Sequence, residues 1–574
     1  MINHLTHSGG CPFRRDRVNP GTLAETAEQA DLQARHETRG LDFWRTKWKP
    51  LSPNEAIEMA ARYRHFEARD GQGNWSPIRS FEELQGLITS LEQQAASLES
   101  LGQTGQATAE RAAGLVREPQ EPAVGLLDFA RGMLAHRDSP VGFLQEFHAR
   151  YGNRFKVNTP THGNFVFDLD SEVLKEALRN TDGGEDSWEK CPLQGHGAAF
   201  LLGKKNMFLS SGEDWAGVQG ALKSHFSART IHGPETTALL ESIFDDHLDD
   251  LAARVSAADG QLEIDPRLEM QLPILDVALQ LFLDTKLSKA ELVELREAFN
   301  TQMKSLPIET VNPFPVSLQH LPGQGELKQA HQVLNRVADQ IVARAKQERK
   351  PDSIVTSLLE VNDPATSQPL SDERLRHEVL SLMEAGHETT ATLLGWTMTL
   401  LAREPGVYAH LTQEVSQGFD DDGVMSLKEV RGLDYAGQVV DESLRMYPPF
   451  YLFMRRAKED TVAGGVDFKQ GTTLVSTLYS ANRREDEWGV EKTGFPAHEF
   501  HPERFGQGGA RPSMAFGTGR RQCLGQALGR LEAGMMLAKF AERFELASEH
   551  EPIKLLSDLS IHPENGQVRV SLRA

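Results

Sequence analysis

Phe516-Gly517-Thr518-Gly519-Arg520-Arg521-Gln522-Cys523-Leu524-Gly525 is the stretch on which the reading of this 574-residue chain turns. A single cysteine follows a glycine-rich loop with two arginines. It precedes an apolar series, Leu524, Leu528, Leu531, Met535 and Phe540, spaced as a helix. Glycines let the backbone come close and aim N–H groups at sulfur, while a helix N-terminus and guanidinium charge favour the thiolate. Such a sulfur is a metal ligand or a nucleophile; the plainer alternative is a lone buried cysteine before a core helix.

The order Phe-x-x-Gly-x-Arg-x-Cys-x-Gly resembles the haem-binding loop of the cytochrome P450 superfamily, with five fixed positions in ten residues. The resemblance implies haem b with Cys523 as the axial iron ligand, Arg521 paired with a haem propionate, and Phe516 and Gly517 in the loop that carries them. It also implies a mainly α fold, a helical bundle around haem with small β-sheets. It covers residues 119–574 as a haem domain and leaves 1–118 as an N-terminal extension, read from its pattern as helical.

Composition narrows the partners. Against 61 basic residues stand 82 acidic ones, a net charge of −21, which argues against nucleic acid or an anionic membrane as the main partner. Apolar residues at 39% leave ample material for a core. Cys11, Cys191 and Cys523 are an odd, scattered set that predicts no disulfide framework and a reducing compartment. The polar start predicts no signal peptide, and no apolar run is long enough to span a membrane, so the expected location is the cytoplasm.

Within the extension, Ser52-Pro53-Asn54-Glu55 reads as a helix start. Ser80-Phe81-Glu82-Glu83 reads as a capping box opening an amphipathic helix with Phe81, Leu84, Ile88, Leu91, Ala95 and Leu98 on one face. That face over 80–101 packs on its own neighbours or the main domain, or docks a partner or a second copy. Glu118-Pro119-Gln120-Glu121-Pro122 reads as a linker.

Further on, Phe155–Val157 and Phe165–Phe167 read as a hairpin. Ser211-Gly-Glu-Asp-Trp215 opens a segment that resembles the family's C helix, where Trp215 and Gln219, one turn apart, would face a propionate. The family usually has Arg or His where this chain has Gln219, which removes a charge from that side. Ser371-Asp372-Glu373 caps a helical pattern running to about Arg403. Its centre, Ala385-Gly386-His387-Glu388-Thr389-Thr390, resembles the family's oxygen-binding signature. By that resemblance Ala385 and Gly386 leave room for a diatomic ligand, and Glu388 and Thr389 are the catalytic pair that relays protons. The plainer reading is a threonine bonded back to the carbonyl of Ala385, beside a solvated glutamate.

Glu442 and Arg445 share a helix face at i, i+3, and with Arg504 of Phe500-His-Pro-Glu-Arg-Phe505 they resemble the family's structural brace behind the cysteine loop. Between these motifs, Phe450-Tyr451-Leu452-Phe453 would line the substrate cavity by resemblance, or form a buried strand by composition. Arg455 stands where the family places a second propionate ligand, with Arg456 as its stand-in. Near the end, Asn565-Gly566 between Leu559–Ile561 and Val568–Val570 reads as a closing hairpin.

The resulting expectation is a haem-thiolate monooxygenase that inserts one atom of O2 into a hydrophobic small molecule by hydroxylation or epoxidation. Electrons would come from separate proteins, a ferredoxin or flavodoxin with its reductase. Two rivals are a hydrogen-peroxide-driven peroxygenase, which has less need of the acid–threonine pair, and a non-catalytic haem-binding or partner-docking protein.

Overall fold

The computed structural model describes short strands between 32 and 117. It also describes 122–573 apart from 137–138, 160–162, 183–186, 192–198, 200–201, 312–323, 419–431, 507–508, 511, 549–552 and 558–559. The chain divides into two compact units: Met1–Ala123 with Asp460–Phe468, and Val124–Glu459 with Lys469–Ala574. In the first, Leu32–Glu37 pairs antiparallel with Thr46–Leu51. Glu67–Arg69 pairs with Trp75–Pro77 and with Val116–Arg117, and Thr461–Ala463 with Val466–Phe468. The helices expected from Ser52 and over 80–101 lie outside the described residues, as does the linker at 118–121.

The second unit is mainly helical with small sheets. Its first hairpin joins β1 (Arg154–Thr159) to β2 (Gly163–Asp168), with Phe155 opposite Phe167 and Val157 opposite Phe165. Alternation along β1 buries Phe155 and Val157 in a cluster with Phe143, Phe147 and Phe167. After β3 (Trp188–Lys190) come helices α1 (Gly212–Leu222), α2 (Pro234–Ala257), α3 (Pro266–Val277), α4 (Lys289–Val311) and α5 (Gln324–Glu348).

The long helix α6 (Asp372–Arg403) has 32 residues, about 48 Å at 1.5 Å each. Ser371 caps it by accepting the Arg374 N–H, Asp372 and Glu373 sit in its first turn, and Arg403 in its last, so both ends match the helix dipole. Most of its residues are buried, because α3, α5, α7 (Asp434–Met446) and α8 (Gln526–Arg543) pack around it. Between α7 and α8 run β4 (Leu452–Ala457) and β5 (Thr473–Thr477). Strand β5 pairs parallel with β2 and antiparallel with β4, and β4 pairs on its other edge with β3.

One close approach decides the site below. Asp265 caps α3 by accepting the N–H groups of Arg267 and Leu268, and Pro266 fills the first turn. This start crosses α6 at Gly395, where a Cβ would stand 2.8 Å from Arg267 Cα. Only glycine lets the two backbones meet there.

The closing hairpin does not form as expected. Val568–Leu572 pairs with Gln261–Ile264 and Phe544–Ala547, whereas Ile561–Pro563 pairs with Leu555–Ser557. The Asn-Gly turn signal is local, and Val568 and Val570 are buried against partners distant in sequence, which outweighs it.

Candidate functional site

A cavity of about 1160 Å³ lies in the helical unit, bordered by α1, α6, the start of α8, the segment 204–211, β4 and the loop 515–525. Cys523 borders it. The loop before it is held by its own backbone: Gly517 N–H donates to Met514 O at 2.8 Å, Cys523 N–H to Phe516 O at 2.9 Å, and Gln522 N–H to Gly519 O at 3.2 Å. Gly517 and Gly519 take φ of 68° and 74°, the left-handed region that favours glycine. Helix α8 begins three residues past the cysteine, at Gln526. Cys523 is exposed to the cavity; the protein packed around its sulfur pushes the thiol up by desolvation, and the Gly525 N–H pulls it partly back. Cys191 also borders the cavity, but it is buried and its sulfur sits 3.9 Å from Thr473 Oγ1.

Cations gather in the same cavity. Arg521 Nε donates to Asp182 Oδ2 at 2.5 Å and Nη1 to Met207 O at 3.2 Å, and its guanidinium lies 4.2 Å from the centre of the Trp215 ring. Arg455 donates to Thr181 Oγ1 at 3.1 Å and to Met454 O at 2.9 Å; burial first, then Arg521, pushes it down to about 10. Lys190 donates to Phe208 O and is lowered by burial, then by Arg521 and Arg455. Three cations thus crowd together with Asp182 to oppose them, an arrangement that calls for further negative charge. Trp215, under the Arg521 guanidinium, and Gln219 also border the cavity. Arg456 turns outward to Glu189 instead, at 2.6 Å from Nε.

This donor set fits haem. Among the described residues no three His, Cys, Asp or Glu side chains converge as a metal cluster. A porphyrin brings its own donors to a metal at Cys523, and its two propionates would answer the cations.

On α6, Ala385, Gly386, Thr389 and Thr390 border the cavity. Thr389 Oγ1 donates to Ala385 O at 2.9 Å, the back-bond that a helical threonine makes by default. Gly386 meets a second constraint: a Cβ there would stand 3.1 Å from Ala278 Cβ, so helix packing also requires its smallness.

Glu388 departs from expectation. It does not border the cavity: its Oε1 accepts from Arg267 Nη2 at 2.8 Å, from Ser560 Oγ at 2.9 Å and from Thr392 Oγ1 at 3.1 Å, and its Oε2 from Gln271 Nε2 at 3.0 Å. Despite burial, these partners, Arg267 foremost, hold it ionised at about 2. The contact between α3 and α6 at Gly395 brings Arg267 to it, so the carboxylate faces away from the side where Thr389 opens.

The aromatic run also divides. Phe450 and Phe453 border the cavity, whereas Tyr451 packs with Trp396, Tyr479 and Ile561, and Leu452 lies outside the lining. Of the four, only Leu452 and Phe453 belong to β4, with Phe450 in the bend and Tyr451 between bend and strand, so the first two side chains are aimed by the bend and not by strand alternation.

Glu442, Arg445 and Arg504 are brought together with no exposed side-chain surface. Arg445 reaches both carboxylate oxygens of Glu442, at 2.7 and 2.8 Å, and donates to the carbonyls of Asn482, Ala497 and Glu499. Arg504 Nε lies 3.3 Å from Glu442 Oε1 and its Nη2 donates to Pro496 O at 2.7 Å.

Sequence reasoning missed Lys190, Phe208, Asp182 and the pair Thr390–Glu532. Glu532 borders the cavity, accepts from Thr390 Oγ1 at 3.0 Å and is pushed up to about 8 by burial. One signal was available: Glu532 falls four residues after Leu528 and three before Met535, inside an apolar stripe. Lys190 and Phe208 stand in short irregular surroundings without such periodicity.

The sequence profile of the family described as Cytochrome P450 matches residues 119–570. The Bacillus subtilis protein named bifunctional cytochrome P450/NADPH–P450 reductase 2 is 30% identical over 288 residues, 49% of this chain and 26% of that protein. Two Arabidopsis thaliana proteins match over more of the chain. One named cytokinin hydroxylase is 26% identical over 74% of this chain and 82% of its own length. One named carotene epsilon-monooxygenase, chloroplastic, is 26% identical over 71% and 78%. The chain spans about a quarter of the length of the bifunctional relative.

Proposed function

This chain belongs to the cytochrome P450 family, which binds haem through a cysteine thiolate, and we propose that it is a monooxygenase acting on a hydrophobic small molecule. One observation carries the reading: Cys523 and the cations Lys190, Arg455 and Arg521 border a single, mostly apolar cavity. We assign Cys523 as the axial ligand, and Arg521, Arg455 and Lys190 as partners of the two propionates, with Trp215 and Gln219 beside them. Bound haem supplies the oxygen activation from which one atom enters the substrate and the other leaves as water.

The remaining steps belong to the protein. Phe208, Phe450 and Phe453 give the substrate an apolar wall and exclude water from it. Thr389 spends its hydroxyl proton on Ala385 O, which leaves its oxygen lone pairs to accept from a water in the chamber. Glu532, raised to about 8, retains a proton at neutral pH within the same cavity. Glu388 acts in the reaction only if its contact with Arg267 opens.

Apolar lining supports a substrate with little charge; two of the relatives are named for hydroxylating cytokinin and for oxygenating carotene. Electrons come, in this reading, from separate redox proteins, although the bifunctional relative is named for a fused reductase. Among the described residues no helix is long and apolar enough to cross a membrane. The cytoplasmic location and the role of 1–118 as a separate extension remain part of the proposal.

The test is the reduced carbon monoxide difference spectrum together with turnover. Wild type and Cys191→Ser should give the long-wavelength Soret band of a thiolate-bound iron, and Cys523→Ser should lose both band and turnover. Product with a ferredoxin, its reductase and nicotinamide, but not with hydrogen peroxide alone, supports the monooxygenase over the peroxygenase. A band that survives Cys523→Ser rejects the assignment.

A further inference from the structure

The segment Met207–Ser210 is tied on two sides by charged groups. From α6, Glu378, 1% exposed, accepts the Met207 N–H through Oε2 at 2.9 Å, and its Oε1 accepts Arg374 Nε at 2.8 Å. Arg374 continues to Ser210 Oγ at 3.1 Å and to Asp214 Oδ2, on α1, at 2.9 Å. From the cysteine loop, Arg521 takes the other side of the same segment, donating to Met207 O and Ser210 O. Asn206, fully buried, accepts the Leu209 N–H at 3.0 Å. Between these ties stands Phe208, which borders the cavity and meets the Phe450 ring edge-on at 5.9 Å between centroids.

We propose that Glu378 is a positioning residue for substrate selection: by holding the Met207 amide and orienting Arg374, it fixes where Phe208 stands in the cavity wall. This rests on the reading of the cavity as the haem and substrate chamber. The segment is a short turn closed on itself, the Leu209 and Ser210 N–H groups both donating to Asn206 O, at 3.0 and 2.8 Å. The turn shapes itself, but where it stands depends on bonds to other elements, among them Lys190 of β3, which donates to Phe208 O. Arg521 already serves the cysteine loop, so Glu378 and Arg374 are the ties that set the segment against α6. Charge-assisted bonds in a buried setting are the strong kind, and losing one partner leaves the Met207 N–H and the Arg374 guanidinium short of acceptors. Glu378 touches neither the cavity nor the cysteine, so its effect on ligands must pass through the segment.

The experiment uses the full-length haem-loaded protein as wild type, Glu378→Ala, Glu378→Gln, Phe208→Ala and Phe208→Ala/Glu378→Ala. Hydrogen exchange of peptides covering 203–211 is measured by mass spectrometry. Affinities for imidazole and for the larger phenylimidazole are read from the Soret shift. Glu378→Ala should speed exchange in 203–211 by about ten-fold while α8 stays protected. It should change the phenylimidazole dissociation constant by about five-fold and leave that of imidazole within about two-fold. On the Phe208→Ala background Glu378→Ala should change phenylimidazole affinity no further, as expected of residues acting through one another. If Glu378→Ala does not fold, Glu378→Gln decides by the same exchange measurement, since it keeps an acceptor for the amide but not the charge for Arg374. Unchanged exchange in 203–211, or additive effects of the two substitutions, overturns the proposal. Failure of imidazole to bind wild type rejects the haem reading instead, and the exchange result still decides whether Glu378 holds the segment.

Discussion

Arg267 Nη2 stands 2.8 Å from Glu388 Oε1, and both side chains are buried. The pair joins α3 to α6 on the side away from the cavity, which makes Glu388 a structural anion in this conformation. Removing one partner leaves an uncompensated buried charge, so Arg267→Gln should cost about 3–5 kcal/mol in urea unfolding. Arg267→Gln/Glu388→Gln should recover much of that loss, because neither charge then remains. A single-variant loss under about 1 kcal/mol would mean that the pair contributes no more than a surface ion pair.

Glu532 gives the chain a pH dependence opposite to that of most carboxylates. Its folded value, about 8, lies above the ordinary 4.5. Between those values the folded chain keeps a proton that the unfolded chain releases. The contribution is therefore fully present below 4.5 and is lost as pH rises through about 8. Within the window the slope is about 1.4 kcal/mol per pH unit for one proton. Urea midpoints of wild type and Glu532→Gln, compared across this range, should converge or cross as pH rises. Parallel profiles would show that Glu532 titrates normally.

Glu442 neutralises two guanidinium groups at once, with no exposed side-chain surface among the three. Glu442→Ala should therefore cost at least about 3 kcal/mol, seen as lost soluble yield and a lowered melting temperature. Arg504→Lys should also destabilise, because an ammonium cannot span the carbonyl and carboxylate oxygens that the planar fork reaches. A fully stable Glu442→Ala protein would contradict the bonded arrangement.

Haem retention should depend on Lys190 and Arg455 more than on Gln219. Arg455 is buried, Lys190 partly so, and the two repel each other, so a bound anion relieves both, whereas Gln219 carries no charge. Transfer of haem to apomyoglobin should quicken by about ten-fold in Lys190→Ala or Arg455→Ala, and by under about three-fold in Gln219→Ala. Equal effects of all three would place the propionates elsewhere.

Spacing along the chain was enough to mark the cysteine loop, the bounds of α6 and the Glu442–Arg445 pair. Each is a local matter: a capping serine, a helix face shared at i, i+3, glycines that a turn requires. Even the hairpin between Phe155–Val157 and Phe165–Phe167 followed from two short alternating runs, though not its register. The Asn565–Gly566 hairpin failed because its outer strands find better partners far away in sequence.

What tertiary structure decided is which way charged and aromatic groups face. Nothing near Glu388 in sequence predicts Arg267, 121 residues earlier, and nothing near Phe208 predicts Glu378, 170 residues later, because these meetings depend on how helices cross. A helix repeat tells which residues share a side; only the neighbours that pack there determine whether that side holds an ion pair, a core or a cavity. The sequence by itself therefore settled the family and pointed to one sulfur, while the folded chain decided which carboxylates meet a buried cation and which border the cavity.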